Sequence, residues 1–99
     1  MEPIPFEVGR VVTSLQGRDR KRSFVVIGVP EEGFVLMSDG RTRKLDRPKK
    51  KKLKHLKARP ARMDALEDLR ARNCLKDSDI RSFLEAQGYG IQQPLCKED

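Results

Sequence analysis

Two apolar stretches rich in β-branched residues, 8–15 and 24–29, flank a short polar segment, Gln16-Gly17-Arg18-Asp19-Arg20-Lys21. Val, Ile and Phe pack well on a pleated, half-buried surface, and Gly17 and Asp19 suit the backbone angles of a tight loop. The pattern predicts a β-hairpin whose tip carries Arg18, Arg20, Lys21 and Arg22. Charge of that density is costly to bury, so the tip faces water or an anion.

The first strand, over residues 7–15, contains Gly9, and a glycine inside a strand marks a bulge or a bend of the kind small barrels need. The second, over 23–29, is almost continuously apolar and is expected to be the most buried. Pro30-Glu31-Glu32-Gly33 supplies a turn, and Phe34-Val35-Leu36-Met37 begins a third strand. Asp39-Gly40 follows, a pair that favours the positive φ angles of a hairpin turn. A fourth strand is expected over 41–45, with Arg41, Arg43 and Lys44 on an exposed ribbon and Leu45 facing inward. After Asp46-Arg47-Pro48 and the run Lys49, Lys50, Lys51, Lys52, the segment Leu53-Lys54-His55-Leu56 reads as a short fifth strand. Five short strands in about fifty residues point to a mostly β fold, a small five-stranded SH3-like barrel.

Residues 58–63, with Pro60, read as a linker, and beyond them the period changes. Ala65, Leu66 and Leu69, then Ile80, Phe83 and Leu84, follow the i, i+3, i+4 spacing of amphipathic helices over 64–72 and 78–87. Asp77 or Ser78 can cap the second helix and Gly88 can end it. This C-terminal helical pair, a 64–88 appendage, must bury its apolar faces on itself, on the barrel or on a partner. Packing within the protein is the simpler outcome. Cys74 fits between the helices as a small hydrophobe, and the aperiodic residues 89–99 are expected to form a loose tail.

With 36% hydrophobic and 37% charged residues and no Trp among 99, the core is thin. Residues 1–60 hold 16 Lys and Arg against 7 Asp and Glu, a net +9, whereas residues 61–99 hold 6 against 8, a net −2. A basic excess confined to one part of the chain argues for a polyanionic partner there; the alternative is a charged surface that only maintains solubility. Cys74 and Cys96 form no Cys-x-x-Cys or Cys/His pattern, so no metal is expected and two reduced thiols are the default. The N-terminus lacks the layout of a signal peptide, and no apolar run approaches the roughly 20 residues of a membrane span. A cytoplasmic protein without a membrane partner is expected. Catalysis has little to work with, since there is one His, no paired carboxylates in an apolar setting and no phosphate-cradling glycine loop. Neither enzymatic activity, a small-molecule substrate nor a cofactor is expected.

Gly9-Arg10-Val11-Val12, Gly17-Arg18-Asp19 and Phe24-Val25-Val26-Ile27-Gly28 resemble a KOW motif, found in ribosomal and transcription-elongation proteins. The continuation runs through Phe34-Val35-Leu36, Asp39-Gly40-Arg41-Thr42-Arg43-Lys44, Arg47-Pro48-Lys49-Lys50-Lys51 and His55-Leu56. It is similar to the small bacterial KOW-domain RNA-binding proteins akin to the archaeal and eukaryotic large-subunit ribosomal protein fourteen-e. The helical segments resemble that group too, so the likeness covers about residues 6–84. It implies an SH3-like barrel over 6–57, RNA binding, and a connection with translation or the large ribosomal subunit. Many members of the group carry a glycine two places after the Gly-Arg-Asp aspartate, where this chain has Lys21.

Lys and Arg neutralise phosphates and release counterions, giving affinity with little sequence information, and Arg adds a planar fork that grips phosphate in two places. The candidate RNA-binding residues are Arg10, Arg18, Arg20, Lys21 and Arg22, then Arg41, Arg43 and Lys44, then Arg47, Lys49, Lys50, Lys51, Lys52, Lys54 and His55. His55 also reads as a partly buried strand-end residue. Gly9, Gly17, Asp19, Asp39 and Gly40 are assigned to holding loops. Phe24 and Phe34 read as core rather than base-stacking residues, which favours structured RNA recognised through backbone and shape. The lysine run can also mimic a nuclear import signal. The expected function is non-enzymatic binding of ribosomal RNA or another structured RNA in translation or ribosome assembly. One alternative is a KOW protein-interaction module docking on the transcription or translation machinery, with an exposed apolar patch and weak salt dependence. Duplex-DNA binding is another.

Overall fold

The computed structural model of the chain describes residues 5–17 and 21–89. Arg18, Asp19, Arg20, Cys96 and the expected tail beyond Tyr89 lie outside the described residues. Five antiparallel strands form one sheet: β1 (Arg10–Ser14), β2 (Ser23–Gly28), β3 (Phe34–Ser38), β4 (Lys49–Lys52) and β5 (Leu56–Arg62). Helices α1 (Leu66–Ala71) and α2 (Asp77–Ala86) follow. The spatial order is β4-β3-β2-β1-β5.

The expected barrel closure is absent: β4 and β5 are the two edges and share no ladder, so the sheet is open. It is nonetheless curled. A single 3-10 turn, Leu53–His55, joins the two edges, and three residues of such a turn advance the chain only about 6 Å. A flat sheet would hold those edges about 19 Å apart, four strand spacings. The turn is tied at both ends, Leu53 N–H donating to the Gly33 carbonyl at 3.0 Å and Leu15 N–H to the His55 carbonyl at 2.9 Å.

Curling divides the apolar side chains between two faces. Val12, Phe24, Val26, Val35, Met37 and Leu56 fill the inner one. Val11, Val25 and Ile27 point the other way, against Met63 and the helix residues Leu66, Ile80 and Leu84. The apolar helix faces are therefore spent inside the protein. Tyr89, expected to begin the loose tail, packs against this outer cluster. Cys74 does not sit between the helices; it is exposed in the link that joins them.

Three boundaries differ from expectation. The anticipated strand over 41–45 is instead part of an irregular segment, 39–48. Asp39 competes with the backbone there: its carboxylate accepts from the Arg41 and Arg43 amides and the Thr42 hydroxyl, each at 2.9 Å. The segment is then fastened to α2, with Leu45 N–H donating to Asp77 at 2.7 Å and Arg81 to the Gly40 carbonyl at 2.7 Å. The lysine run itself forms the strand β4. Residues 53–55, expected to begin the last strand, form the 3-10 turn, and the supposed linker 58–62 belongs to β5. Pro60 fits because β5 is an edge strand, where a missing N–H on the open side breaks no ladder.

Gly40 has φ +74°, and a Cβ there would lie 2.3 Å from the Asp77 carbonyl oxygen. Gly40→Ala is expected to detach the 39–48 segment from α2 at a cost of about 2–4 kcal/mol, measured by urea unfolding.

Candidate nucleic-acid interface

Edge pairing and curl together determine where the cations go. The β1–β2 ladder ends at Thr13 opposite Ser23, and the chain is pinned just beyond it by Ser14 N–H to the Arg22 carbonyl at 2.9 Å and Lys21 N–H to the Ser14 carbonyl at 2.7 Å. β5 enters beside the same place, with Ser14 opposite Leu56 and Thr13 opposite Lys57. From the far edge, the Lys51 ammonium reaches the Gln16 carbonyl at 3.1 Å. Lys21, Arg22, Lys51, Lys54, His55 and Lys57 thereby gather around the end of β1, although they come from four separate elements.

Among the described residues, Lys21, Arg22, Lys49, Lys51, Lys52, Lys54 and Lys57 form no ion pair. The other cations are largely occupied elsewhere. Arg41 pairs with Glu85 of α2 at 2.9 Å, and Arg72 with Asp68 at 3.4 Å. Arg62 pairs with Glu7 at 2.9 Å and with Asp64. Lys50 points to the opposite face of β4 from Lys51, pairing with Glu31 at 3.3 Å and lying 4.8 Å from the centre of the Phe34 ring. Arg70 donates to the Ile27 carbonyl, which ties α1 to the sheet.

Of the residues expected at the site, Arg10 is misassigned. It is buried, and its guanidinium donates to the carbonyls of Pro5 (3.0 Å), Arg59 (3.2 Å) and Pro60 (2.9 Å) and to Glu7 (3.2 Å). It is a clasp between the lead-in segment and β5, with no face left for a ligand. The single ribbon expected from Arg41 to Lys54 is divided: Arg41, Arg43, Lys44 and Arg47 lie on the segment bound to α2, whereas Lys51 of β4 reaches the hairpin loop and the 3-10 turn lies beside it. Phe24 is fully buried, as expected, while Phe34 is half-buried beneath Lys50. His55 is half-buried, as expected, and closes the 3-10 turn immediately before β5.

Two basic residues were missed, Lys57 and Arg59, because Pro60 made their surroundings resemble a linker. The alternation Leu56, Ala58 against Lys57, Arg59 was the available signal for a strand. Among the described residues, no group of three or more His, Cys, Asp or Glu side chains could hold a metal ion, and no helix is long and apolar enough to cross a membrane. No protein-family profile matches the chain, and no curated protein sequence matches it.

Lys21 has φ +72°, the left-handed conformation that disfavours a side chain. Its strain is about 1 kcal/mol. Glycine relieves that strain but has more freedom to lose on folding. Lys21→Gly is expected to raise the melting temperature by about 2–4 °C, read by circular dichroism, while weakening any polyanion that the loop contacts.

Proposed function

We propose that this protein is a non-enzymatic RNA-binding module of the KOW type, built on a curled but open sheet. It holds ribosomal RNA or another structured RNA by its backbone, in translation or ribosome assembly. The observation that carries the reading is the basic end around Ser14, where Lys21, Arg22, Lys51, Lys54 and Lys57 lie on neighbouring elements and, among the described residues, form no ion pair. Bringing like charges together on a marginally stable domain is unfavourable in isolation, and a polyphosphate backbone relieves it. The resemblance of residues 6–84 to bacterial KOW-domain RNA-binding proteins points the same way, as does the scarcity of exposed aromatic residues for stacking single-stranded bases.

The competing protein-docking role would draw on an exposed apolar patch. The helices supply none, because Leu66, Ile80 and Leu84 are buried. Among the described residues the exposed large hydrophobics are Leu15 and Val29, on different loops.

Binding of a hairpin RNA, followed by fluorescence anisotropy, tests this. Affinity is expected to fall roughly a hundred- to a thousandfold between about 50 and about 200 mM salt. Arg22→Glu with Lys54→Glu, both exposed and free of ion pairs, is expected to cost roughly a hundredfold and flatten the salt slope without lowering the melting temperature. Salt-insensitive binding, or an unchanged affinity in the double variant, would contradict the assignment.

A further inference from the structure

Arg59 is the basic side chain best prepared for a ligand. It projects from β5 on the outer face, two residues along from Lys57 and clear of the inner apolar cluster. Its Nε donates to the Thr13 hydroxyl at 2.9 Å, and that hydroxyl lies 3.0 Å from the Ser23 hydroxyl. Thr13 is 7% exposed, so the anchor is rigid. Behind it the β5 backbone is immobilised, because the buried Arg10 guanidinium holds the Arg59 and Pro60 carbonyls.

A guanidinium fixed through Nε has one orientation for its fork. Among the described residues its two terminal nitrogens have neither a carboxylate nor a hydrogen-bond acceptor. Four N–H donors are left unpaired in a fixed plane, with the Lys57 ammonium as neighbour on the same face. That is the geometry of bidentate phosphate recognition. A lysine at this position could supply the charge but not the plane.

We propose that Arg59, oriented by Thr13 and flanked by Lys57, grips one phosphodiester of the bound RNA and sets the angle at which the backbone crosses the sheet. The proposal rests on the RNA-binding reading and adds to it a residue that acts by geometry, where the lysines act by charge. It extends the interface from the loop end up the outer face of β1 and β5.

The test compares Arg59→Lys, Thr13→Val and Arg22→Glu/Lys54→Glu on the same hairpin RNA by anisotropy across a salt series. Arg59→Lys keeps the charge and is expected to lose about tenfold in affinity with an unchanged salt slope, since hydrogen bonds and not counterion release are removed. Thr13→Val leaves every charge in place and frees the guanidinium, with an expected loss of about threefold. As a readout independent of affinity, the Arg59 Nε–Hε NMR signal of the unaltered protein should shift on addition of RNA. An Arg59→Lys protein that binds like the original, with a static Nε–Hε signal, overturns the Arg59 site. If the loop-end double variant still loses binding in that case, the wider RNA-binding reading stands. If no variant changes binding, both fall.

Discussion

The whole arrangement depends on β1 and β2 being buried on both faces. Val11 and Val12 are both fully buried, as are Phe24, Val25 and Val26. An antiparallel sheet with one wet face would have left half of these in water. A chain this short and this charged satisfies the demand in two ways at once. It curls the sheet, so that Val12, Phe24 and Val26 meet Val35, Met37 and Leu56, and it lays two short helices over Val11, Val25 and Ile27. Neither cover suffices alone. The curl also makes a three-residue link between the sheet edges geometrically possible.

Function follows from what this packing leaves over. Once the inner space and the helix-covered face are filled, charged side chains are confined to the edges, the loops and the uncovered part of the outer face. The acidic residues of α1, α2 and their approaches meet nearby arginines: Glu85 with Arg41, Asp64 with Arg62, Asp68 with Arg72. Among the described residues, the lysines at the end of β1 and Arg22 form no ion pair. The strain at Lys21 belongs to the same picture, a charged side chain retained at a backbone conformation that favours glycine.

The strand composition of β1, β2 and β3 could be read from the residues because β-branched runs and alternation act locally. The helices could be read for the same reason, apolar spacing placing Leu66, Leu69, Ile80, Phe83 and Leu84 on the inward side, whereas Ala65, expected on the same face, is exposed just before α1. What escaped was set by distant contacts. Asp39-Gly40 looks like a hairpin turn until α2 offers Asp77 and Arg81 to its segment, which turns a strand into a docked loop. Pro60 looks like a breaker until β5 is known to be an edge. Arg10 looks like a surface arginine in an otherwise apolar strand, and only the meeting of the lead-in segment with β5 reveals a cage of carbonyls. The fourth strand was displaced from 41–45 to 49–52, because lysines, poor in intrinsic strand preference, are tolerated on a wet edge.

The central claim is that the basic end of β1 is the surface that meets RNA. Amide NMR mapping of the unaltered protein during titration with a hairpin RNA tests it most directly. The account predicts shifts concentrated at Ser14–Gly17, Lys21–Ser23 and Lys51–Arg59, with α1 and α2 little changed. Shifts centred on the helices, or none at all at RNA concentrations that saturate anisotropy, would contradict it.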